Sequence, residues 1–190
     1  MIKQLLIPIT FVSMLATSQA QETKKEAEKT KMDLFVSKTG TITKFVETKL
    51  PKLKTTYNSC ETKIRKIISG SAIGYFYQIE KQGQYGDKVA SIEYSDLIEI
   101  LKALTALKDQ VDNDIASNPD YLENKFITVD GFQVGYFVSK GKATWYIKLE
   151  QYGSDATLFI DQSETIETAF ANAKSKMDEL KKIFIHPRRY

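Results

Sequence analysis

Nucleophilic and metal chemistry both need residues that this chain scarcely has. Its single histidine, His186, lies in the closing run Ile185-His186-Pro187-Arg188-Arg189-Tyr190, so a Ser-His-Asp or Cys-His hydrolase would depend on a chain-end group. One histidine and one cysteine, Cys60, cannot furnish the several ligands of a zinc site. Cys60 has no partner for an internal disulfide and is expected unpaired, as a buried small apolar residue or an exposed thiol. Gly70-Ser71-Ala72-Ile73-Gly74 lacks the lysine and the following helix of a phosphate loop, and Asp109, Asp112 and Asp114 lack EF-hand spacing. The remaining catalytic option is a carboxylate pair, Glu80 and Glu150, at matching places in an internal repeat. Across a pseudo-twofold axis they could act as the acid and base of a hydrolase; as solvated strand positions they would only keep sheet edges apart. No cofactor motif is present, and no catalytic residue is assigned.

Aromatic residues are the stronger signal. Ten Tyr, ten Phe and one Trp exceed what two helix-covered sheet faces need, so several should lie on the opposite face. Phe76, Tyr146, Tyr136 and Phe137, with the turn residues Tyr85 and Tyr152, are the expected ligand- or partner-binding residues. Aromatic rings combine large contact area with few rotors, and the phenol adds a polar tip. The structural alternative is that they pack across strands and stiffen the sheet.

The elements that position these residues read as a duplication. Residues 68–80 align with 138–150 at an offset of 70, and farther on Ser95-Asp96-Leu97-Ile98-Glu99 falls on Ser163-Glu164-Thr165-Ile166-Glu167 at an offset of 68. A second alignment at offset 91 places Phe35 on Phe126, Gly40 on Gly131 and Phe45 on Tyr136. It predicts an opening hairpin of strands 34–38 and 41–46, and a first copy carrying an insertion at about 48–62. Strands follow at 74–81 and 88–94, then 143–151 and 156–161. Alternation assigns Tyr75, Tyr77 and Ile79, with Trp145, Ile147 and Leu149, to the helix side, and Phe76 and Tyr146 to the other. Ser95 and Ser163 are expected to cap helices rather than act as nucleophiles. The helices carry stripes through Leu97, Ile100, Leu104 and Leu107, and through Ile166, Phe170, Ala173 and Met177. Asn118-Pro119-Asp120 separates the copies.

The expected fold is therefore α+β, a tandem ββββα duplication with antiparallel sheet and two helices packed on one face. The copies span 33–117 and 122–184, followed by a tail at 185–190. Lys3, the apolar stretch 5–15 and Ser18-Gln19-Ala20 have the layout of a signal peptide over 1–20, and the mixed-charge 21–32 reads as a flexible lead-in. After its removal no integral membrane segment is expected, and the protein would be periplasmic or secreted. The formal charge of +3, one unit of it from Lys3, gives no case for nucleic acid. The expected function is binding of an unknown macromolecule or apolar ligand by the exposed sheet face and loops. Alternatives are a small-molecule or lipid carrier with a sheet–helix cavity lined by residues such as Tyr75, Trp145 and Phe170, and a hydrolase acting through Glu80 and Glu150.

Overall fold

The computed structural model describes residues 29–83, 86–151 and 155–185. The expected signal peptide, most of the lead-in, Tyr85, Tyr152 and His186 lie outside the described residues. Within them the order is α1 (Lys31–Val36), β1 (Thr43–Lys54), β2 (Ser59–Ser69), β3 (Ala72–Lys81), β4 (Lys88–Glu93), α2 (Tyr94–Ala116), β5 (Leu122–Ile127), β6 (Gln133–Ser139), β7 (Lys142–Lys148), β8 (Thr157–Ile160) and α3 (Ser163–Ile185). The strands form two antiparallel meanders, β1-β2-β3-β4 and β5-β6-β7-β8, each followed by a long helix. The fold is α+β, built of two ββββα-like units.

The two units share one core. α2 touches β3 and β4 of its own sheet and β5, β6 and β7 of the other; α3 packs on β8 but also on β1 and β2. The expected helix-side residues Tyr77, Ile79, Trp145 and Ile147 are buried there, with Leu97, Leu104, Phe170 and Met177 of the helix stripes. Phe170 of α3 meets Tyr77 of the first sheet at 5.3 Å and Phe132 of the second unit at 5.8 Å between ring centroids. Because each helix covers the neighbouring sheet as well as its own, neither unit buries its apolar face alone.

Three local expectations are corrected. The residues expected as the first strand form helix α1 instead. Thr30 accepts from the Asp33 amide and Asp33 accepts from the Thr30 amide, each at 3.1 Å, closing a capping box that starts the helix. The alignment at offset 91 therefore fails: Phe35 is helical, whereas Phe126 lies in β5. The 48–62 stretch is no looped insertion either. It is the far half of the β1–β2 hairpin, in which Leu53 faces Cys60 and Lys54 faces Ser59. This arm reaches the second unit, where the Thr56 amide donates to the Phe159 carbonyl at 2.9 Å and its hydroxyl to Asp161 Oδ1 at 2.7 Å. The third correction concerns α2, whose cap is Glu93, accepting from the Ser95 amide at 2.7 Å; Ser95 lies inside the first turn. Asn118, at φ +48°, closes the far end, in the separator expected between the copies.

Candidate functional site

The outer faces of the two sheets, which point away from α2 and α3, have different fates. On the first, Arg65, Phe76 and Glu93 stand side by side across β2, β3 and β4. Helix α1 lies on this face. Its Phe35 ring meets Phe76 edge-on at 6.2 Å, and Gly74 leaves the room for it, since a Cβ there would stand 3.2 Å from Phe35 and 2.9 Å from Phe76. Phe76 is consequently 1% exposed, a correction to its expected place on an open surface. Two contacts tie α1 down: the Lys31 amide donates to both carboxylate oxygens of Asp130 at 3.1 Å, and its ammonium reaches Asp96 at 2.6 Å. α1 thus bridges the first sheet and the β5–β6 turn.

The second outer face carries no helix among the described residues. Gly135, Tyr146 and Phe159 stand side by side across β6, β7 and β8; Gln133, Lys148 and Thr157 form the next row, and Glu123 is paired with Phe137 beyond. Together they frame a shallow depression of about 220 Å³. Tyr146 is 5% exposed, because neighbouring strands crowd its ring and its hydroxyl donates to Glu123 Oε1 at 2.5 Å. That bond, helped by the Lys125 ammonium at 3.0 Å, holds the Glu123 carboxyl below its ordinary range. Burial, then the same carboxylate, pushes the Tyr146 phenol far up, so it stays neutral and is no general acid near neutral pH. Phe137 meets Phe159 edge-on at 6.4 Å, and Tyr121, 63% exposed, stacks on Phe137 at 6.1 Å. Three rings therefore run in a row from the start of β5 to β8.

Of the expected binding residues, the structure brings Tyr146 and Phe137 together here. Phe76 lies on the other sheet under α1. Tyr136 is on the inner face, fully buried, 4.9 Å from Trp145 and donating to Asp114. The chain matches no protein-family model, no curated protein and no solved structure. The geometry must therefore speak for itself, and it adds residues that the aromatic count overlooked: Gln133, Glu123 and Phe159. Strand alternation through Glu123, Lys125 and Ile127 was the available signal for that face.

The other expectations fare differently. Glu80 is held by Lys63 at 3.5 Å and Glu150 by Lys88 at 3.0 Å, and the two carboxylates line different clefts rather than one. Tyr75, Trp145 and Phe170 are all buried in the shared core. Phe170 and Trp145 pack on other rings, and the ammonium groups of Lys66 and Lys181 each stand 5.7 Å from the Tyr75 ring. Cys60 is buried in the arm. Among the described residues no group of His, Cys, Asp and Glu is placed to hold a metal ion, and no helix is long and apolar enough to cross a membrane.

Proposed function

We propose that this chain is an exported, non-catalytic binding protein that presents the outer face of its second sheet to a macromolecule. The observation that carries this reading is the contrast between the two outer faces. In the first sheet Phe76 is roofed by the chain's own α1; in the second, its repeat counterpart Tyr146 lies beside Phe159, which with Phe137 and Tyr121 forms a row of rings that no described helix covers. A half-exposed aromatic row on one side of a protein is what an interaction surface requires. Export rests on the signal-like pattern of residues 1–20, which supports a location in the periplasm or outside the cell.

Two features favour binding over chemistry at this face. Tyr146 and Glu123 satisfy each other, with the phenol neutral and the carboxylate ionised, so the pair has no proton to exchange near neutral pH. The core rings that an interior carrier would need around its ligand are packed against each other and against helix side chains.

The test is an NMR titration of the labelled protein with fractions of the producing cell's envelope and medium. Amide shifts should gather on β5 to β8 at Glu123, Gln133, Phe137, Tyr146 and Phe159, and a Phe137→Ala/Phe159→Ala variant should lose them. Shifts confined to the arm, or to the cleft beside α1, would overturn the reading.

A further inference from the structure

We infer that a second copy of this chain pairs with the free edge of β5, giving a twofold dimer in which two four-stranded sheets become one. The strand is Leu122-Glu123-Asn124-Lys125-Phe126-Ile127, held by β6 along one side and packed on α2. Its other side forms no backbone hydrogen bond among the described residues. At the opposite edge of the same sheet the Thr56 amide donates to the Phe159 carbonyl, so the arm closes β8 and leaves β5 open. An open row of backbone donors and acceptors is a template for another strand.

A comparison with β1, which is also an edge, shows what β5 lacks. β1 carries Lys44, Lys49, Lys52 and Lys54, together with Pro51 and a register shift between Leu50 and Leu53, and such features keep strands apart. β5 has neither a proline nor a shift in register. Exposed apolar side chains bracket it instead, Tyr121 before it and Ile127 and Val129 at its far end. Leu122 and Phe126 are only partly buried in the single chain and would gain cover from a neighbouring strand.

The strand's own sequence names the occupant. Directly opposed residues of an antiparallel pair share a face, so the twofold axis of a β5–β5 contact passes through a residue. Centred on Asn124, Glu123 faces Lys125 of the second copy and Lys125 faces its Glu123, while Tyr121 faces Ile127 and Leu122 faces Phe126. Centred one residue earlier, Glu123 would meet Glu123; one residue later, Lys125 would meet Lys125. Opposite charges and aromatic–β-branched pairs across strands stabilise, and like charges repel, so one register is selected. Glu123 and Lys125 already pair within the chain at 3.0 Å and remain partly exposed. The dimer gives each carboxylate a second ammonium and closes an alternating ring of charges. Such an interface is self-complementary, and its axis, perpendicular to the sheet, sets both outer faces on the same side. The inference goes beyond the binding reading and does not rest on it.

The contact spans only residues 121–127 of each copy, so the dimer should be a weak one, and sedimentation equilibrium of the purified protein from about 10 µM to about 1 mM tests it. A monomer–dimer equilibrium is expected. Lys125→Glu sets glutamate against glutamate at both charge pairs and should weaken the dimer by about tenfold or more. Glu123→Lys should do the same with lysines, and an equimolar mixture of the two variants should recover association as a mixed dimer. Lys49→Glu, on the β1 edge, should change nothing. Thermal melts identify any variant that fails to fold. Because Glu123→Lys also loses the Tyr146 bond, Tyr121→Ala/Ile127→Ala, at exposed positions, is a second probe of the same edge and should also weaken the dimer by about tenfold. A monomer throughout that range overturns the inference, as does a dimer indifferent to Lys125→Glu or, where both variants fold, a mixture that stays monomeric. The envelope titration reads binding at the outer face separately, so either reading can fail without the other.

Discussion

Phe35 stands edge-on to Phe76 at 6.2 Å, and that one contact turns an outward-facing sheet residue into a buried one. The two rings come from an element outside the repeat and from the repeat itself, so the covering of the first sheet is a feature added to the duplicated fold. Removing it with Phe35→Ala takes away the edge-to-face contact and re-exposes Phe76. The expected loss is about 1–2 kcal/mol, for a half-buried ring with one aromatic partner. Urea denaturation measures it, and binding of an apolar dye should rise. Gly74→Ala should destabilise the wild type more than the Phe35→Ala variant, because the added Cβ meets both rings.

On the opposite sheet, Tyr146→Phe should remove one charge-assisted hydrogen bond and destabilise the fold by about 1–2 kcal/mol at pH 7. Its pH dependence has a definite sign. Glu123 titrates lower in the folded protein than its ordinary 4.5, so its contribution is complete above that value and fades as pH falls through the folded pKa. The variant's carboxyl returns toward 4.5, and the stability gap between variant and wild type should therefore narrow on acidification below about pH 4.5. Melting both proteins from pH 7 to pH 3 checks this; a gap independent of pH would refute the coupling.

The duplication was legible wherever apolar alternation was strong. Residues 68–80 and 138–150 form corresponding β2–β3 and β6–β7 strands, and the helix stripes are buried as read. The N-terminal hairpin was misread because Leu34-Phe35-Val36 before Gly40 satisfies a strand pattern, whereas the signal for a helix lay in Thr30 and Asp33, outside the apolar run. The arm was hidden by its lysines and threonines: Lys49, Lys52 and Lys54 on β1 break the apolar pattern, although Leu53 and Cys60 are buried. At the candidate site the aromatics were visible in sequence, but burial of Gln133 depends on β5 and β7 flanking it. No local pattern encodes that.

The exchange of helices between sheets makes the halves mutually dependent. Urea transitions followed by far-UV circular dichroism and by fluorescence of Trp145, in the second unit, should superimpose. A fragment of residues 29–117 leaves β1 and β2 without α3, and Tyr77 without Phe170. It should show no cooperative transition. A fragment that melts cooperatively on its own would establish that the units fold independently.

Cys60 reports on the arm itself. Its thiol is buried opposite Leu53, and burial raises its pKa against a smaller opposing pull from the Lys81 charge. A thiolate reagent should therefore react with the native protein at pH 8 at least about a hundredfold more slowly than with the unfolded chain, through local opening of the arm. Leu53→Ala, which empties part of that packing, should cost about 2–4 kcal/mol and speed the native reaction more than a comparable core change such as Ile147→Ala. Because the folded thiol holds its proton above the unfolded value of 9.0, stability should decline as pH rises past 9.0, and Cys60→Ser should lessen that decline. Equal reactivity in the native and unfolded states would show that the arm does not stay closed over the second unit.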